Sequence, residues 1–158
     1  MKSTLALFFF VYALFSADPY TPLRLYDGSW EVHLPNKPVD KLTNRCVLIG
    51  QYYACQQAVN GKMAALVVFL PKEQPGEYWT NPLTAEAQSN GRGDLSIRGD
   101  RWVYSSKNTE SGKTTFYRTV NVFTGADRIH FEVAESPDGI AWTVKMSGDE
   151  TRAAAAAK

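Results

Sequence analysis

The chain is 158 residues long, with 17 Lys and Arg against 16 Asp and Glu and a formal net charge of +1. That balance excludes a basic nucleic-acid-binding domain, whose affinity rests on a Lys/Arg excess that neutralises phosphates. The length suits one domain with a real core. Two cysteines are too few for a disulfide-dense scaffold or a four-cysteine zinc site.

Met1-Lys2 is followed by an apolar run from Leu5 to Phe15 and then by Ser16-Ala17-Asp18-Pro19. A positive start, an apolar stretch too short to cross a bilayer comfortably, and small residues before a helix breaker make a secretory signal peptide over residues 1–17. The alternative is an uncleaved N-terminal anchor. After cleavage no stable membrane span is expected, and the protein is expected to be secreted or periplasmic.

From Tyr26 onward no stretch repeats apolar residues at helical spacing. Runs rich in Val, Ile, Tyr, Phe, Trp and Thr alternate instead with turn dipeptides, the signature of consecutive hairpins. The expected strands are Ser29–Leu34, Arg45–Ile49, Tyr52–Val59, Lys62–Leu70, Glu77–Thr80, Asp94–Arg98, Arg101–Ser106, Thr114–Phe123, Arg128–Glu135 and Ala141–Gly148. Exposed loops are expected at Asn36–Asn44 and Leu83–Gly91. The resulting fold class is all-β: an antiparallel up-and-down barrel of 8–10 strands over residues 18–152, closed so that no edge is exposed. A two-sheet sandwich is the fallback, and residues 153–158 form a low-complexity alanine tail.

A two-residue turn at Gly50-Gln51 sets Ile49 opposite Tyr52 and, counting back, Cys46 opposite Cys55. The fourth pair of such a hairpin is non-hydrogen-bonded with close Cα atoms, which suits a disulfide. An oxidising compartment makes that bond structural rather than redox-active.

Strand parity assigns an inner face. Phe116, Arg118, Val120 and Val122 make the more apolar side of their strand, so they are expected inside. Ile129, Phe131 and Val133 are likewise placed inside, leaving His130 and Glu132 outside. Ile140, Trp142, Val144 and Met146 form the next inward set, and the same parity carried through Gly148 and Glu150 brings Arg152 inward. A buried Arg needs a partner or an anion. The expected ligand-binding residues are therefore Arg118, Tyr53, Tyr104, Phe116 and Trp142. An internal salt bridge or a flipped strand is the alternative for Arg118.

Gly28-Ser29-Trp30 at the first strand and Arg152 at the last resemble the Gly-x-Trp entry and late Arg of lipocalin-type (calycin) barrels. The resemblance implies that Arg152 packs over Trp30 and seals one end. The stretch Asp127–Val133, then Ser136-Pro137-Asp138-Gly139-Ile140-Ala141-Trp142, then Met146-Ser147-Gly148, is similar to bacterial lipocalin-like exported domains of unknown function. The similarity spans roughly Tyr26 to Arg152. It implies a barrel and bacterial export, and it carries no substrate or catalytic residue.

No catalytic, metal or cofactor motif is present: there is no clustered His/carboxylate spacing and no Gly-x-Ser-x-Gly elbow. The two Arg-Gly-Asp triplets, Arg92–Asp94 and Arg98–Asp100, are ordinary turn chemistry. The expected function is binding of a small apolar or amphipathic ligand without catalysis or cofactor. Two alternatives stand beside it. One is an enzyme acting on a small carboxylate through Arg118, Tyr53, Tyr104 and an inward Glu132. The other is an envelope interaction module built on the two loops.

Overall fold

The computed structural model describes residues 18–89 and 91–154. The segment assigned to a signal peptide and the end of the alanine tail lie outside the described residues. Ten strands run in sequence: β1 (Gly28–His33), β2 (Asp40–Ile49), β3 (Tyr52–Val59), β4 (Lys62–Pro71), β5 (Glu77–Thr84), β6 (Gly93–Arg98), β7 (Arg101–Glu110), β8 (Lys113–Phe123), β9 (Arg128–Ser136) and β10 (Thr143–Arg152). Each pairs antiparallel with its neighbours, and β1 pairs with β10 to close the barrel. Every expected strand is present. Several are longer than their apolar runs, because mainly polar stretches such as Asp40–Asn44 and Lys107–Glu110 continue the ladders. The two expected loops shrink accordingly, to the residues after His33 and after Thr84.

The β2–β3 hairpin turns at Gly50-Gln51, and its register pairs Cys46 with Cys55. Their Cα atoms are 4.0 Å apart and the two are joined as a disulfide.

Two distinct ends follow from the up-and-down topology. At one end lie both chain termini of the barrel and the β2–β3, β4–β5, β6–β7 and β8–β9 turns. This end is plugged. A 3-10 helix, Pro22–Tyr26, crosses beneath it and buries Leu23. Tyr20 stacks on Tyr53 with ring centroids 5.3 Å apart and donates its hydroxyl to the Gln51 carbonyl at 2.5 Å. Trp30, Tyr26, Trp102 and Phe123 continue the aromatic layer.

Arg152 clamps this plug to the barrel. Its guanidinium lies 4.2 Å from the centre of the Trp30 ring. The fork donates to the carbonyls of Leu25 (2.8 Å), Asp27 (2.9 Å) and Ala126 (3.1 Å), and Nε pairs with Asp127 at 3.2 Å. One side chain thus ties β10 to the 3-10 helix, to the start of β1 and to the β8–β9 turn. Gly28 permits the approach: its φ is +114°, and a Cβ there would meet Arg152 Nη1 at 2.9 Å.

Arg152→Lys keeps the charge but loses the planar fork and the stacking. Urea unfolding is expected to show a loss of about 2–3 kcal/mol, read as a lower midpoint at unchanged slope; a midpoint equal to the wild type's would remove the clamp from the account. Replacing both Cys46 and Cys55 with Ala opens a short loop, so the same assay is expected to show a loss of roughly 2–3 kcal/mol, and reduction of the wild-type protein should reproduce it.

Candidate functional site

Above the aromatic plug the interior is hollow. A cavity of about 290 Å³ is enclosed by residues from β3 to β10, with Tyr26 of the 3-10 helix in its floor. Cys55, Val67, Phe69, Pro82 and Phe131 supply apolar wall, and Gln57, Thr80, Ser106, Tyr117 and Thr119 supply polar wall. Gly93, Tyr104, Ser105, Asn121 and Glu150 complete the lining.

The cavity opens where β6 is short. The β5–β6 ladder ends at Thr80–Gly93 and the β6–β7 ladder at Asp94–Ser105. Beyond those pairs, Asn81–Thr84 of β5 and Ser106–Glu110 of β7 have no strand between them. Pro82 is tolerated here because its missing N–H falls on the side that β6 has left. A recess lined by Pro82, Ser89, Gly91, Ser106, Lys107, Asn108 and Tyr117 forms the mouth and shares three of its residues with the cavity. Gly93 sits in the wall at the point where the ladders part. A Cβ there would meet the Ser105 carbonyl and Thr80 Oγ1, both at 2.8 Å.

Among the described residues that line the cavity, Glu150 alone has an ionisable acid or base side chain other than a phenol. Its side chain reaches the interior on the same face of β10 as Gly148 and Arg152, and a bulge between Val144 and Met146 separates that stretch from the start of the strand. The extra residue reverses the alternation, so Val144 faces out while Gly148, Glu150 and Arg152 face in. Glu150 is 6% exposed. Oε1 accepts the Tyr26 hydroxyl at 3.3 Å, and the buried Oε2 has no protein partner. Burial pushes the carboxyl up to about 7, with the Tyr26 hydrogen bond acting weakly the other way. Burial, and secondarily the nearby Glu150 charge, raises the Tyr104 and Tyr26 hydroxyls well above the ordinary tyrosine range. These two phenols stay protonated at any physiological pH, and that of Tyr26 donates to Glu150.

A chain of amides holds the floor in place. Gln57 donates to Asn44 Oδ1 at 3.0 Å, Asn44 donates to the Tyr26 carbonyl at 3.2 Å, and Trp30 Nε1 donates to the same carbonyl at 3.1 Å. Asn44 is 1% exposed, so these bonds also meet the cost of burying its amide.

The structure redistributes the five residues expected to bind ligand. Tyr104 lines the cavity. Tyr53 faces inward but belongs to the plug, stacked on Tyr20. Arg118, Phe116 and Trp142 lie on the outer surface, which corrects the expected parity of β8. There Tyr117, Thr119 and Asn121 face the cavity, and Arg118 sits 4.2 Å above the Trp142 ring outside it. The apolar side of β8 faces outward because the β9–β10 connection folds over it. Gly139 packs against Phe116, and Ser136 Oγ accepts the Gly139 N–H at 2.9 Å while donating to Asp138 at 2.8 Å. Ile140 and Val144 are exposed rather than inward, since the connection and the bulge turn them away from the core, and Met146, past the bulge on the face of Gly148, is exposed as well. Glu132 is exposed. His130 pairs with Asp149 at 2.9 Å on the outside, and His33 contacts Thr151 at 3.3 Å.

Glu150 was within reach of the sequence. The parity that carries Gly148 to Arg152 passes through it, and an inward carboxylate in a barrel is as anomalous as an inward arginine.

No family model matches the chain, and no curated protein matches it. Among solved structures it is similar to the crystal structure of Rv2717c from M. tuberculosis. That likeness has a TM-score of 0.49 at 12% identity and covers 87% of this chain and 99% of that one.

Because the folded carboxyl of Glu150 titrates near 7 and the unfolded one near 4.5, the fold favours the protonated form. The stability it confers is complete below the unfolded value and is lost as pH rises through 7. Urea unfolding at pH 4.5 and pH 8 is expected to show about 3 kcal/mol of pH-dependent loss in the wild type that Glu150→Gln lacks. Parallel pH profiles for the two proteins would contradict the buried-carboxyl geometry.

Proposed function

We propose that this chain is an exported, lipocalin-like barrel that binds one small amphipathic molecule in the cavity above the aromatic plug. The observation that carries this is the cavity itself: about 290 Å³, walled by both apolar and hydrogen-bonding side chains, with Tyr26 in its floor and a mouth between β5 and β7. That is the usual make-up of a ligand site, at the small end of the range. The volume corresponds to roughly ten waters' worth of liquid, so the ligand has on the order of ten heavy atoms. Export rests on the N-terminal apolar segment and on the disulfide, which suits an oxidising compartment.

The specific catalytic constellation expected from Arg118, Tyr53, Tyr104 and Glu132 is not assembled, because Arg118 and Glu132 lie outside the barrel. The interaction-module alternative looked to apolar surface around the loops after His33 and Thr84. A cluster of exposed apolar residues, Val47, Leu48, Ile49 and Tyr52, sits instead at the tip of β2–β3, at the opposite end of the barrel.

The test is fluorescence titration with 1-aminoanthracene, a planar apolar probe with one polar group. The wild type should bind it saturably at one site. Thr119→Phe fills the wall, and it is expected to weaken binding at least about tenfold, equivalent to 1.4 kcal/mol, with cooperative unfolding retained. Equal binding by the folded variant would move the ligand elsewhere, and no saturable binding by the wild type would overturn the proposal.

A further inference from the structure

The cavity holds one group whose chemistry is unfinished. Glu150 Oε2 is buried and has no partner, although buried carboxylate oxygens are almost always hydrogen-bonded. Among the described residues no Lys, Arg or His lines the cavity, and Lys107 reaches only the mouth. The titratable groups packed against Glu150 are the phenols of Tyr26 and Tyr104. The other side chains paired or packed beside it from β1, β8 and β9 are Val32, Asn121, Ile129 and Phe131. Arg152, two along on the same face, is engaged with backbone carbonyls and Asp127, and His33, Arg128, His130 and Asp149 border Glu150 from a recess outside the cavity, so among the described residues no cation meets an ionised Glu150 in the cavity.

We infer that the ligand is a small amine, bound as its ammonium ion against the Glu150 carboxylate, with its apolar body in the wall of Val67, Phe69 and Phe131. This deepens the binding proposal above and rests on it. Three features favour a cation over an anion. The free Oε2 supplies an acceptor, and the terminal torsion of Glu is soft enough to bring it to the cavity without leaving its rotamer. Tyr26, Tyr104 and Phe131 place three aromatic rings in the lining, and ring π density is what stabilises desolvated ammonium groups. A carboxylate ligand would find no positive charge and would be repelled by Glu150 once that group ionises.

The protonation balance gives the idea a signature. The carboxyl is partly protonated near neutrality in the empty cavity, and an ammonium ion selects the ionised form. Binding below pH 7 therefore releases the carboxyl proton to solvent, and affinity for the amine rises with pH until Glu150 is fully ionised. Tyr26 and Tyr104 remain protonated throughout that range and do not alter the sign.

Competition against 1-aminoanthracene tests this with three probes of matched size: 2-phenylethylamine, 2-phenylethanol and phenylacetate. At pH 8 the amine is expected to displace the reporter at a concentration at least tenfold below that needed for phenylacetate, with the alcohol between them. The advantage should shrink at pH 5 and vanish in Glu150→Gln. Should that variant fail to fold, the pH series on the wild-type protein decides alone. Equal potency of the three probes, or preference for phenylacetate, overturns the amine assignment while leaving the cavity a binding site. Failure of the reporter itself to bind overturns the binding proposal instead.

Discussion

The clamp of Arg152 on Trp30 is the contact on which the rest of the interior depends. It holds the first and last strands in register at the plugged end, where Trp30 is the direct partner of Arg152 across the β1–β10 seam. Closing the seam removes the two edges an open ten-stranded sheet would leave exposed. It also fixes parity for the strand that carries it. Residues two apart on a strand share a face, so an inward Arg152 obliges Glu150 to be inward as well. One contact thus seals the bottom of the barrel and places an acid in the space above it.

That space exists because the aromatic layer is confined to one end. Tyr20, Leu23, Trp30 and Trp102 fill the barrel up to the level of Tyr26, and above it the inward positions carry Gln57, Thr80, Ser106, Thr119 and Asn121. These are too short or too polar to meet across the barrel. The early end of β6 then opens the wall beside them. Filling below and hollowness above are a division of labour: the plug supplies the buried apolar area that stabilises the fold, and the upper half is left free to hold something else.

The strands were legible because β-branched and aromatic runs and turn dipeptides mark hairpins directly. The Cys46–Cys55 pairing was legible because a two-residue turn leaves one register. The inner face of β8 was misread for an instructive reason. The rule that the apolar side faces inward assumes a filled core and a bare exterior. Here the interior beside β8 is a partly polar cavity, and the connection that carries Trp142 covers the exterior at Phe116 and Arg118. The bulge at Val144–Met146 misled in a simpler way, since nothing in the local composition of β10 announces an extra residue. Arg118 drew notice as a charge in an apolar pattern, whereas Glu150, the charge that does face the cavity, lay in a polar stretch where no contrast marked it.

The most direct measurement is a carbon-detected NMR titration of the Glu150 side-chain carboxyl, with Glu150→Gln to assign the signal. In the empty protein its midpoint is expected at about 7, and saturation with 2-phenylethylamine is expected to lower it, because an ammonium ion in contact favours the charged form. A midpoint in the ordinary range near 4.5 would contradict a buried, unpartnered carboxyl. A midpoint near 7 that the amine leaves unmoved would contradict the role assigned to it.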